Sequence, residues 1–223
     1  MLKKLFLSVL VILFILLSIA LYRTVTHTAS VGGIIAGETI EIDGDKASQN
    51  LAASIRFKTI SYQDEEKFPF EEFDNFIKWA AATYPEFHQV MEIDQLKHSL
   101  LFKWQGSDPT LAPILFEGHH DVVPIIPGTE NLWQENPFAG VISNNRIWGR
   151  GALDDKSGVI GLMEAATYLI KSNFNPKRTI YFSFGHDEEV GGGGAALITE
   201  KLREDGVQPV SYTHLTLPTN REV

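Results

Sequence analysis

From Leu5 to Tyr22 the chain runs for 18 residues without a charge, LFLSVLVILFILLSIALY, in which Ser8 and Ser18 are the clearly polar positions. An α-helix of that length rises about 27 Å, close to the hydrocarbon thickness of a bilayer, so the pattern predicts one membrane crossing. Lys3 and Lys4 precede the run and Arg23 follows it. The positive-inside tendency therefore puts the amino terminus in the cytoplasm and the remainder outside. A cleaved signal peptide is the competing reading, since Ser18 and Ala20 offer a small-x-small pair. The apolar run is longer than a usual signal core, so a retained anchor over 1–22 is expected, with a secreted protein as the outcome of cleavage.

Beyond the anchor, 23–45 is short of charge and carries two glycine clusters, which suits a linker. A helical period then begins at Lys46, with Ala47, Leu51, Ile55 and Phe57 toward one face and Asp45 as the expected N-cap. Pro69 opens a second helix, with Phe70, Phe73, Ile77, Trp79 and Ala80 spaced for one face, ending before Pro85. The period then changes. SLLFKW (99–104) reads as a strand followed by the turn QGSDP, and PILFE (113–117) as a short, centrally buried strand. Ile147 and Trp148 suggest another short strand. GVIGLMEAATYLI (158–170) is helical, RTIYFSF (178–184) a strong strand, and 195–203 helical again. Strands alternating with helices predict an α/β fold over 46–209, with helices flanking a largely parallel central sheet.

Composition narrows the chemistry. The chain has 19 Lys plus Arg against 28 Asp plus Glu, a net charge of −9. The first 30 residues hold three cations and no acid, which leaves the remainder at −12. A nucleic-acid partner is not expected, because phosphate neutralisation needs clustered cations. Cysteine is absent. Any metal must therefore sit on histidine and carboxylates, and no disulfide can form.

Three clusters stand just after predicted strands: His119-His120-Asp121, Asp154-Asp155, and His186-Asp187-Glu188-Glu189. In open α/β sheets ligands gather beyond the carboxyl ends of strands, so the three can converge on one crevice. In the first, extended backbone puts His119 and Asp121 on one side and His120 on the other. His119 as a metal ligand with Asp121 holding its second ring nitrogen fits the usual carboxylate–histidine–metal arrangement, although an ordinary surface pair has the same spacing. In the second, Asp154 or Asp155 could bridge two cations, or cap the helix that follows. In the third, one glutamate could bind metal while its neighbour takes a proton from water, and a charged loop before a glycine turn reads equally well.

The motifs GHHDVVP (118–124), WGRGALDDK (148–156) and FGHDEEVGG (184–192), flanked by TISYQ (59–63) and WQENPFAG (133–140), resemble those of a dizinc metallopeptidase family. That family contains carboxypeptidase S, glutamate carboxypeptidase, aminoacylase and succinyl-diaminopimelate desuccinylase. The resemblance is strongest to the carboxypeptidase S branch and its secreted relatives that handle N-acyl amino acids. It implies that His119 binds one metal, Asp154 bridges both, and Glu189 binds the other. Asp154 is preferred to Asp155 because the family's bridging aspartate stands two residues after the alanine of GRGA. Asp121 would orient His119, and Glu188 would serve as general base and then as acid to the leaving amine. Zinc is implied, and cobalt or manganese also suit these ligands. The implied substrate is a peptide or N-acyl amino acid with a free carboxylate, and the implied full-length form is a homodimer. An aminoacylase or desuccinylase type of deacylase, and a non-catalytic metal-binding module, are the alternatives.

The family uses two further ligands, an acid and a late histidine, and an inserted smaller domain, all lying further along than this chain extends. VSYTHLTLPTNREV (210–223) departs from the family pattern and looks like a translated sequencing-library adaptor. The expectation is a truncated chain with a non-native tail, hydrolysing little or nothing, in which His214 is not a candidate ligand.

Overall fold

A computed structural model describes residues 2–26 and 41–208, together with the backbone of 211–214. Internal contacts divide the chain into two units, Met1–Ile42 and Asp43–Val223. In the first, α1 (Leu2–Thr26) contains the expected apolar run and continues through Arg23 to Thr26. It is long and apolar enough to cross a bilayer. The Ser8 and Ser18 hydroxyls donate to the carbonyls of Lys4 and Phe14, four residues back, at 2.9 and 2.8 Å. Both serine hydroxyls within the apolar run are thus satisfied by the helix itself, as a lipid environment demands. Most of the expected linker, 27–40, lies outside the described residues.

The second unit places helices on both faces of a five-stranded sheet. Its helices are α2 (Gly44–Ile55), α3 (Phe70–Thr83), α4 (Pro85–Val90), α5 (Lys156–Lys171) and α6 (Gly193–Glu204). The sheet contains β1 (Glu92–Leu96), β2 (Ser99–Trp104), β3 (Ile114–His119), β6 (Ile180–Gly185) and β7 (Ser211–His214), in the order β1-β2-β6-β3-β7. A separate hairpin is formed by β4 (Val141–Ser143) and β5 (Arg146–Trp148). Asp43, not the expected Asp45, caps α2, its carboxylate accepting the Lys46 N–H at 3.0 Å. Asp45 falls in the first turn instead, where its charge suits the positive end of the helix.

The α/β layering agrees with expectation, but the sheet is mixed rather than largely parallel. β3 pairs in parallel with β6 and β7, whereas β2 is antiparallel to both β1 and β6. The β1–β2 pairing has a local cause: a tight turn in which Lys97 adopts φ 56° joins the two strands, and a tight hairpin can join only antiparallel strands, whereas β2 meets β6 from far along the chain.

The two faces of the sheet carry separate cores. Leu100, Phe102, Trp104, Phe182 and Phe184 pack against Phe76, Ala80, Tyr84, Phe87, Val159 and Met163 from α3, α4, α5 and the turn before α4. Leu101, Leu115 and Tyr181 pack on the other side against Ile198 and Leu202 of α6. Aromatic pairs such as Phe87–Phe102, with centroids 4.8 Å apart, knit the larger core. The sheet is therefore held from both sides, and its strand ends are fixed supports for loops.

Candidate metal centre

β3 and β6 run side by side, with His119 paired to Gly185, so the loops that leave them begin at the same edge. The β3 loop carries His120 and Asp121, and the β6 loop carries Glu188 and Glu189. Asp154 arrives from the loop between β5 and α5. That loop follows the small hairpin rather than a strand of the main sheet, which corrects the picture of three clusters at the ends of one sheet. His119, Asp154 and Glu189 nevertheless bring one ligand atom each to within 4.8 Å of one another.

His119 is the buried member, 3% exposed. Its Nδ1 stands 3.2 Å from both the carboxylate Oδ1 and the backbone oxygen of Asp121. With that nitrogen donating, Nε2 is directed outward, 2.9 Å from Asp154 Oδ1 and 3.7 Å from Glu188 Oε2. Burial alone would lower the His119 pKa, but the hydrogen bond and charge of Asp121, with the charges of Glu188 and Asp155, raise it to about 9. The acids around His119, Asp121 first among them, thus favour positive charge on the ring, and the carboxylates facing Nε2 would equally suit a cation there. Glu189 shows the converse: burial and the neighbouring charge of Asp154 raise its carboxyl.

Asp121 does more than orient the imidazole. It is fully buried, and its two oxygens also accept the backbone N–H groups of Glu188 and Glu189, each at 3.1 Å, and the Ser61 hydroxyl at 2.7 Å. Burial would raise its carboxyl, yet the hydrogen bonds from His119 and Ser61 outweigh that and lower it. One carboxylate therefore holds the histidine and the backbone of both glutamates.

The second aspartate of the pair is also assigned a place. Asp155 stands just before α5, where its carboxylate accepts the His119 N–H at 3.3 Å. A Cβ at Gly118 would lie 2.9 Å from that carboxylate, so the glycine of GHHD lets α5 approach β3. Burial raises the Asp155 carboxyl to about 6. His120 faces the other way, its ring stacked on Phe76 with centroids 4.9 Å apart, fully buried and with neither ring nitrogen hydrogen-bonded.

Several supports were not assigned roles from sequence. Thr59 donates its hydroxyl to the His120 carbonyl at 2.5 Å, and Ser61 braces Asp121. Both belong to TISYQ, so the motif marked them without showing what they hold. WQENPFAG (133–140) buttresses the loop bearing Asp154. The Arg150 guanidinium lies 4.8 Å over the Trp133 ring, and the Arg150 N–H donates to Pro137 O at 2.7 Å. Beside His119 and Glu188 opens a cavity of about 310 Å³, also lined by Glu117, Ser183 and Asp187.

Comparison with known proteins agrees with this arrangement. Residues 115–222 match the family model described as Peptidase family M20/M25/M40. The chain is 40% identical over 157 residues to a probable carboxypeptidase S-like 2 of Dictyostelium discoideum, covering 69% of this chain and 30% of that protein. It is 34% identical over 210 residues to the N-fatty-acyl-amino acid synthase/hydrolase PM20D1 of Xenopus tropicalis, covering 88% and 39% respectively. The chain thus spans about a third of the length of the curated relatives it matches. Among solved structures, human carnosine dipeptidase 1 superposes with a TM-score of 0.61 at 22% identity, over 78% of this chain and 38% of that one, which supports the fold. With three acid and histidine motifs folded to a common point and these similarities along most of its length, the chain carries, over residues 115–222, a domain of peptidase family M20/M25/M40.

Proposed function

We propose that this chain carries part of a zinc centre that hydrolyses the amide bond of a peptide or N-acyl amino acid. The convergence of His119, Asp154 and Glu189 on one point carries the proposal. Imidazole and carboxylates suit zinc, and the ring nitrogen not aimed at the site is held by a carboxylate, as metal-binding histidines require. Bound zinc would polarise the scissile carbonyl and make water a better nucleophile at neutral pH. Glu188, with its carboxylate half exposed beside His119, takes a proton from the attacking water and passes it to the leaving amine. Asp121 fixes the imidazole and the backbone of Glu188 and Glu189, so ligand and base move as one unit. The printed names of the relatives, a carboxypeptidase S-like protein and an N-fatty-acyl-amino acid hydrolase, favour substrates of this kind.

The sequence resemblance implies two zincs bridged by Asp154 and five protein ligands, of which His119, Asp154 and Glu189 would be three. Calorimetric titration with zinc tests the centre: binding should weaken at least tenfold in His119→Ala and Asp154→Ala, and equal binding by these variants and the parent would overturn it. Glu188→Gln should leave zinc binding intact. We further infer that α1 anchors the protein with the catalytic unit outside the cytoplasm, on the strength of its length and the flanking Lys3 and Lys4. Release of the protein from membranes by alkaline carbonate would refute the anchor.

A further inference from the structure

We propose that Lys156 is a positioning residue for the metal centre, clamping the loop that carries Asp154 to the segment that braces Asp121. The proposal rests on the metal-binding reading above. Lys156 is the first residue of α5 and is 0% exposed, on a helix whose other inward positions include Val159, Ile160 and Met163. Its ammonium donates to the carbonyls of Ser54, at 2.9 Å, and Phe57, at 2.7 Å, and lies 5.4 Å from the centroid of the Phe76 ring. Those carbonyls close the C-terminal end of α2, where the helix dipole is negative. Two of the ammonium's three N–H groups thus have carbonyl partners, on a segment about 100 residues earlier in the chain.

That segment leads directly to the site. Two residues after Phe57, Thr59 binds the His120 carbonyl through its hydroxyl and the Val122 N–H through its own carbonyl, the latter at 2.9 Å. Ser61 follows, with its hydroxyl on Asp121. On the other side of the clamp, Asp155 precedes Lys156 and accepts the His119 N–H. The connections form a closed circuit: Lys156 to the end of α2, through Thr59 and Ser61 to Asp121 and His119, and back through Asp155. Asp154 enters the site from this circuit, so its place relative to His119 depends on the clamp. An apolar residue would fill the same space and open the circuit at its longest link.

Cobalt(II) tests this by affinity and by its visible absorption, which reports ligand geometry directly. Lys156→Met should retain its far-UV circular dichroism but bind cobalt at least tenfold more weakly, with an altered spectrum. Tyr84→Phe serves as a control for general loosening, since it removes a half-buried 2.8 Å hydrogen bond from Tyr84, a member of the same core, to Glu164. It should leave affinity and spectrum unchanged. Because the protein has no cysteine, Lys156→Cys can be alkylated while unfolded and then refolded. The 2-bromoethylamine adduct, which restores an ammonium at nearly the original length, should recover the parental spectrum, and the 1-iodopropane adduct should not. Cobalt affinity of Lys156→Met within twofold of the parent with an unchanged spectrum would overturn the proposal, as would equal recovery by the two adducts. If Lys156→Met and the propyl adduct fail to fold while the ammonium adduct folds, the lysine is a folding requirement and its positioning role is lost. A parent protein that binds cobalt no better than His119→Ala defeats the metal reading itself, a result distinct from the others.

Discussion

Replacing Asp121 with asparagine alters one atom of the most heavily used carboxylate among the described residues. Its Oδ1 receives the Glu188 N–H and faces His119 Nδ1, and its Oδ2 receives the Ser61 hydroxyl and the Glu189 N–H. Each of these four neighbours donates, so an amide nitrogen must meet a donor wherever it is placed. The less damaging orientation puts it at the Oδ2 position, where the Ser61 hydroxyl can turn and accept. The Glu189 N–H cannot turn, and one buried backbone donor left unpaired costs about 1–3 kcal/mol. The imidazole then donates to a neutral amide, and loss of such a carboxylate behind a ligating histidine typically weakens metal binding about 10–100-fold. We therefore expect Asp121→Asn to lower the urea unfolding free energy of the metal-free protein by about 1–3 kcal/mol. Its cobalt dissociation constant should rise by about one to two orders of magnitude. The His119 pKa, raised to about 9 chiefly through Asp121 against the effect of burial, should fall, observable by NMR titration. A variant within about 0.5 kcal/mol of the parent that also binds cobalt within twofold would show that Asp121 does not brace the site, since surface changes have effects of that size.

Three further outcomes test the surrounding structure. His120→Phe removes two unpaired buried nitrogens from an aromatic environment, so thermal unfolding should show stability unchanged or raised by about 1–3 kcal/mol, with cobalt binding kept; marked destabilisation would show that the imidazole has a partner. Burial lowers the pKa of His88, so the unfolded chain takes up its proton first as pH falls below about 6.5. The His88 contribution to stability is therefore full above that pH and declines below it, and melts between pH 5 and 7.5 should be less pH-dependent in His88→Gln than in the parent. Gly140 has φ 58° and a Cβ there would collide with the Ala52 carbonyl of α2, so Gly140→Ala should cost on the order of 3 kcal/mol in urea unfolding. A loss below about 0.5 kcal/mol would mean that WQENPFAG does not pack closely on α2.

The clusters brought together at the site were legible in the sequence as histidines and acids following predicted strands, and the family resemblance, not their spacing, singled out His119, Asp154 and Glu189 among them. Their supports were not. Ser61 meets Asp121 across 60 positions, Glu188 meets it across 67, and Lys156 reaches Ser54 across 102. Serine, threonine and lysine carry no mark of burial in their spelling, and an inward-facing lysine at the head of an apolar helix reads as a surface charge until the carbonyls that receive it are in place. The same division runs through the sheet. SLLFKW and RTIYFSF were recognisable as strands because both faces are buried, but an apolar run records burial and not direction, so the antiparallel pairing of β2 with β6 had no signature. β1, EIDQL, has four of its five residues exposed and shows no apolar period at all; it is a strand because the turn at Lys97 folds it back on β2. What a short stretch does by itself can be read from its letters, whereas what it does for a distant stretch depends on closure of the fold. By that reasoning the positions where changes should most disturb a metal held by His119, Asp154 and Glu189, beyond the three themselves, are those with long-range bonds into the circuit around it: Ser61, Asp121, Asp155 and Lys156.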